Sequence, residues 1–291
     1  MTTGLDAATR AAAAALDDPG FAHLLAVGVS VDGVGRFAGW APDTPTDVFS
    51  VTKSVLARGV LAAVEEGIFD GLDDPVTLAA GTGTTVRRLL WMSQSWSSDP
   101  DLDALEAGAV DPLPAIVAAL GDPDAEGGYR DASAHLLIRE LQQRTGSARA
   151  HFDATVLHPE GIAAARWETD QTGTPWGHAH LFLTVRQLVT LGEHWLRDGW
   201  PASVQPEPGS PAIPPEALPY AAGLWWANDS ERVMAAGWGG QCLILVPSGS
   251  IVLATLGFTG WDRESNTDTL SGNWRPGREL LEGTVLPALL R

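Results

Sequence analysis

Cysteine occurs once in the 291 residues, at Cys242, which excludes an internal disulfide and a C-x-x-C metal site. Nothing marks an oxidising compartment, and a cytoplasmic protein is the expectation. No apolar run approaches the roughly 20 residues of a membrane span, so a membrane protein is not expected. Basic residues are scarce, 18 against 36 acidic ones, and the formal charge of −18 repels phosphate backbones and anionic lipid. Nucleic acid and membrane surfaces are therefore poor partners. Neutral or cationic small molecules are better ones, although acidity is also a common route to solubility.

What is present is a chain with 45% hydrophobic and 19% charged residues, the composition of a soluble globular protein. Its length fits one domain, or one domain with an insertion. The alanine run Ala11 to Ala15 is preceded by Arg10 and followed by Asp17 and Asp18, so the N-terminus reads as a surface helix rather than a leader.

Seventeen of the basic residues are arginine, and Lys53 is the only lysine. Arginine does not give up its proton inside a protein, whereas a buried lysine can. Lys53 follows Phe49-Ser50-Val51-Thr52 and opens a segment with apolar residues at Val51, Val55, Leu56, Val60, Leu61 and Val64, ending at Gly67. This is a helix with one buried stripe and a glycine suited to a left-handed cap. Ser50 falls at its N-terminal end, where developing negative charge is stabilised, and residues three apart share a helix face. Serine is a weak nucleophile until a neighbour takes its proton, so S-x-x-K carries a chemical meaning; the alternative for Ser50 is a helix N-cap.

Tyrosine is also scarce, at Tyr129 and Tyr220 alone. Tyr129 stands in Gly127-Gly128-Tyr129-Arg130-Asp131, just before a helical run through Leu136, Leu137, Ile138 and Leu141 to Gly146. Near the C-terminus, Arg232 to Gly237, Cys242 to Val246 and Ile251 to Leu256 read as an antiparallel meander. The first two are separated by Trp238-Gly239-Gly240-Gln241, whose glycines permit close backbone approach to a ligand.

Together and in this order, these elements resemble the serine β-lactamase and penicillin-recognising superfamily, specifically its class C-like branch and the family VIII carboxylesterases. Ser50-Val51-Thr52-Lys53 resembles S-x-x-K, Tyr129-Arg130-Asp131 resembles Y-x-N, and Trp238-Gly239-Gly240 resembles the W-G-G strand. Leu89 to Ser95, His158 to Ile162 and Gly177 to Gly192 resemble further family segments, so the likeness covers about residues 24–256. The fold implied is α/β (α+β): a mainly antiparallel sheet flanked by helices, with an inserted helical region. Strands Leu24 to Val31 and Gly35 to Trp40 would join the C-terminal meander, giving a single domain with a sheet part at about 1–74 and 177–291 and helices at about 75–176. The proline-rich stretch Pro201 to Pro219 reads as a structured loop or flap.

The resemblance implies acyl transfer, with Ser50 as nucleophile, Lys53 and Tyr129 sharing the protons, and an oxyanion hole from the Ser50 and Gln241 N–H groups. It also places Asp131, Trp238, Gly239, Gly240 and His178 around the substrate. Asp131 stands where asparagine is usual; a carboxylate there favours a charged Lys53 and passes base duty to Tyr129. Trp238 replaces a basic or polar residue and offers an apolar wall in place of an anchor for a substrate carboxylate. A small ester or lactone is the first expectation, with amide hydrolysis or acyl transfer as alternatives and an idle binding protein as a remote one. No cofactor is implied. His178 and His180 have a spacing compatible with metal ligation, but no third histidine or cysteine completes a set, so no metal is expected.

Overall fold

A computed structural model describes residues 2–122, 125, 127–208, 210–213, 218–227, 231–258 and 275–291. The chain divides into two units, Met1–Val51 with Phe182–Ser203 and Ala227–Arg291, and Thr52–Leu181 with Val204–Trp226. The division falls at Val51 and Thr52 rather than near residue 75, so the helix that carries Lys53 belongs with the helical region.

The first unit is built on five antiparallel strands in the order Val34–Gly39, Leu24–Val31, Ile251–Gly257, Gln241–Val246, Val233–Gly237. The central strands are rich in Val, Ile, Leu and Ala because both of their faces are covered. One face meets helix Val185–Arg197. Gly28 lies against Val189, Ser30 bonds Glu193, and Gly192 lets the helix settle on Leu243, Leu245 and Val252. On the other face Thr255 approaches Gly277 of helix Arg275–Leu280. The first two strands are joined by Asp32 and Gly33, both at positive φ, the geometry of a two-residue type I′ hairpin. Helix Thr2–Leu16 buries Leu5, Ala8 and Ala12 along one face, so it is amphipathic rather than wholly superficial.

The second unit is mainly helical. Helix Thr52–Glu65 precedes Gly67 at φ 73°, and helix Asp131–Thr145 ends on the left-handed cap Gly146. Gly59 brings Phe152 against the first of these helices, since a Cβ there would stand 2.1 Å from the Phe152 ring. A hairpin, Leu218–Ala221 with Leu224–Trp226, completes the unit. In the proline-rich stretch, Trp200–Ser203 is helical and Ala212–Ile213 pairs with Leu218 and Pro219; residues 209 and 214–217 lie outside the described residues. No helix among the described residues is long and apolar enough to cross a membrane.

Candidate active site

Ser50 occupies a 3-10 turn, Phe49–Val51, that continues directly into helix Thr52–Glu65. The turn is forced: Phe49 is at φ 44°, a left-handed conformation that costs a bulky residue energy, and its N–H donates to Asp47 Oδ1 at 2.8 Å. The end of strand Val233–Gly237 lies against this turn. A Cβ on Gly237 would stand 2.6 Å from the Val48 carbonyl oxygen and 3.2 Å from the Ser50 nitrogen, so only glycine permits the approach. Beyond it, Trp238–Gly240 reverses the chain with Gly239 and Gly240 at positive φ, while Trp238 is 43% exposed. Thr255 Oγ1 donates to the Gly240 carbonyl at 2.7 Å. The buried Gln241 amide donates to the Gly257 carbonyl at 2.7 Å and accepts from the Gly257 N–H at 2.9 Å. Its side chain is thereby committed, leaving its main chain for any part in binding.

In the second unit Lys53 is 2% exposed, and its contacts are specific. Its Nζ pairs with Asp131 Oδ1 at 2.7 Å, donates to the His178 carbonyl at 3.0 Å, and lies 5.1 Å from the centre of the Tyr129 ring. Burial pushes the Asp131 carboxyl up, but the charge and the hydrogen bond of Lys53 outweigh it, and the net pKa is lowered. Burial holds the His178 imidazole well below its ordinary value, so this ring is neutral. Tyr129 is stacked on Trp225, with centroids 5.1 Å apart at 29°, and meets the edge of Tyr220 at 5.4 Å.

Tyr129 and Asp131 open onto a pocket of about 340 Å³ lined also by Asp99, Asp101, Asp103 and Arg130. Burial raises the Asp99 and Asp103 carboxyls, and the charge of Asp131 raises each further. Arg130 is drawn to Asp99 at 3.3 Å. The pocket is net negative, and an anion entering it meets like charge.

The residues expected from sequence thus fall into two sets. Lys53, Tyr129, Asp131 and His178 come together in the second unit, with His178 acting on Lys53 through its backbone carbonyl. Ser50, Gly237 and the Trp238–Gln241 turn lie in the first. The carboxylates at 99, 101 and 103 carried no signal in the sequence, whereas Trp225, with Trp226 and Trp176, could be read there as a pocket wall or as core packing. His180 pairs with Glu106 at 3.3 Å rather than standing as half of a histidine ligand pair. Among the described residues no group of three or more His, Cys, Asp or Glu could hold a metal ion.

Residues 5–260 match the family model described as Beta-lactamase. The chain belongs to the beta-lactamase family. A protein described as a 6-aminohexanoate-dimer hydrolase from Bacillus anthracis is similar in structure, with a TM-score of 0.70 and 16% identity over 94% of this chain and 80% of that one. A D-stereospecific amidohydrolase from Streptomyces aligns with a TM-score of 0.67 and 18% identity, over 94% and 97% of the two chains. A penicillin-binding protein homologue from Caulobacter crescentus gives 0.70 and 17%, over 98% and 97%. No curated protein matches the sequence. The fold is that of the β-lactamases and transpeptidases, and membership of the family supports a hydrolase.

Proposed function

We propose that the protein is a serine hydrolase that forms an acyl-enzyme on Ser50 and hydrolyses small, uncharged or amine-bearing carboxylic esters or lactones, as a carboxylesterase-like member of the family. The observation that carries this reading is Lys53: the only lysine of the chain is buried, and its partners are Asp131, the His178 carbonyl and the Tyr129 ring. Asp131 favours the ammonium form of Lys53, and a fixed ammonium favours the phenolate of Tyr129 as base. Ser50 Oγ then attacks the ester carbonyl carbon as its proton passes to Tyr129, the Ser50 and Gln241 N–H groups take the oxyanion, and the C–O bond breaks as the leaving alkoxide receives that proton. Water, deprotonated in the same way, attacks the acyl-Ser50 ester and frees the acid. The carboxylates at 99, 101 and 103 and the indole of Trp238 disfavour penicillin-type anions.

Amide cleavage is the second reading, favoured by the structural neighbour described as a D-stereospecific amidohydrolase, and it uses the same acyl-enzyme, as would transfer to an alcohol or amine. The experiment is turnover of p-nitrophenyl butyrate by wild type, Ser50→Ala and Asp131→Asn, with intact-mass detection of the adduct. Turnover and adduct are expected to vanish in Ser50→Ala, and the pH–rate profile is expected to move in Asp131→Asn. An adduct that persists in Ser50→Ala overturns the nucleophile, and an unmoved profile overturns the role of Asp131. Added alcohol or amine acceptors separate hydrolysis from transfer, and an amide panel separates ester from amide preference.

A further inference from the structure

The hairpin Leu218–Ala221 and Leu224–Trp226 turns on Ala222 at φ 43° and Gly223 at φ 84°. Positive φ at both central positions is the turn that matches the twist of its strands. Its tip rests on the first turn of helix Thr52–Glu65. A Cβ on Gly223 would stand 2.6 Å from Ser54 Cα and 2.7 Å from the Lys53 carbonyl oxygen, so the approach requires glycine for space as well as for φ. From a fully buried position the Ser54 hydroxyl donates to the Gly223 carbonyl at 2.6 Å. Pinned there, the hairpin presents its cross-strand pair Tyr220 and Trp225, rings 4.5 Å apart, to Tyr129. Trp225 covers the face of Tyr129 and Tyr220 meets it at 89°, both favourable aromatic geometries.

We infer that this hairpin is the positioning element of the site: Ser54 and Gly223 lock its tip beside Lys53, and Trp225 with Tyr220 sets the plane of the Tyr129 phenol relative to the Lys53 ammonium. The catalytic meaning of that placement rests on the acyl-enzyme reading above. The four are positioning residues, acting through Lys53 and Tyr129.

The test is Ser54→Ala, because the Ser54 hydroxyl bonds the hairpin rather than Tyr129. The chain has two tyrosines, so ¹³C at tyrosine Cζ gives two resonances, assigned with Tyr220→Phe. Burial pushes the Tyr220 phenol far up, leaving Tyr129 to titrate by itself. In Ser54→Ala the Tyr129 resonance is expected to move and its titration to shift to higher pH, as the phenolate loses a fixed ammonium. With p-nitrophenyl butyrate, kcat is expected to fall about tenfold with KM within about twofold. Ser54→Thr, which keeps the hydroxyl, restores the wild-type resonance. Trp225→Leu reproduces the Ser54→Ala behaviour, and Trp225→Phe, which retains a stacked ring, stays close to wild type. A Tyr129 resonance and titration in Ser54→Ala that coincide with wild type overturn the inference. Failure of the acyl-enzyme reading looks different: wild type turns over no ester, while the Tyr129 response to Ser54→Ala persists.

Discussion

The two units bury different chemistry. Among the described residues, the buried polar side chains of the first are Ser30, Gln241 and Thr255, with no buried Lys, Arg, His, Asp or Glu. The second buries Lys53, His135, Glu140, His151, Asp170, His178 and His180. One unit is held by apolar sheet faces, which are indifferent to pH and tolerant of one lost contact. The other adds to its apolar core, Leu136, Leu137, Ile138 and Phe152 among it, buried charges that have meaning only in pairs, because a buried charge without its partner costs far more than a missing methylene. Precision is the return: Asp131, the His178 carbonyl and the Tyr129 ring all hold Lys53 in place.

The largest effect expected from this contrast is at Asp170. Its carboxylate accepts from Arg139 at 2.7 Å, His135 at 3.2 Å, the Thr172 N–H at 2.8 Å and the Thr174 N–H at 3.1 Å, with its side chain fully buried. Asp170→Ala leaves Arg139 with Asp111 alone, at 2.8 Å, and strips the His135, Thr172 and Thr174 donors of their buried acceptor, and should lower stability by about 3–5 kcal/mol in urea unfolding. A loss below about 1 kcal/mol would mean that the network is not what holds the second unit.

The next effect is pH dependence. Burial lowers the pKa of His135 and His178 from 6.5, so the unfolded chain takes up their protons first and stability falls as pH drops below about 6.5. Burial raises and partner hydrogen bonds lower the Glu140 and Asp170 carboxyls, with lowering the net result. Their contribution, present above the ordinary carboxylate range, is lost as pH falls through and below it. Hydrogen exchange between pH 7 and 5 should therefore show peptides from Asp131–Thr145 losing protection while Leu24–Val31 and Gln241–Val246 keep theirs once the intrinsic rates are corrected. Equal loss in both sets would erase the contrast.

The same contrast governs what could be read from the sequence. The sheet was legible because a strand covered on both faces spells itself as a mostly apolar run, as Leu24–Val31 and Ile251–Gly257 do with Ser30 and Thr255 as their single polar residues. The helix after Ser50 was legible from its stripe and Gly67, and the meeting of Asp131 with Lys53 was implied by the resemblance of Tyr129-Arg130-Asp131 to Y-x-N. The second unit's remaining design was hidden. Ser54 and Gly223 are 169 residues apart, and each reads locally as an unremarkable helix or turn residue. His178 acts on Lys53 through a main-chain oxygen, which any side chain would supply. Asp99, Asp101 and Asp103 line one pocket, and composition does not reveal which acids share one. The grouping of the helix is hidden for a related reason: periodicity shows that Thr52–Glu65 is helical but not which unit it packs with.

The smallest effect belongs to the first unit. Thr255→Val keeps shape and removes the hydroxyl that bonds the Gly240 carbonyl at 2.7 Å, leaving that acceptor unpaired in a buried turn. The expected loss is about 1–2 kcal/mol in urea unfolding. Ester turnover should fall by less than about tenfold, because the two hydrogen bonds between Gln241 and Gly257 still anchor the turn. A single neutral hydrogen bond is lost here rather than a network around a buried carboxylate, which is why this change should cost less than half of what Asp170→Ala costs. If the two losses were equal, the Trp238–Gln241 turn would be as finely balanced as the Asp170 network, and the division between a tolerant sheet and an exacting helical unit would fail at that turn.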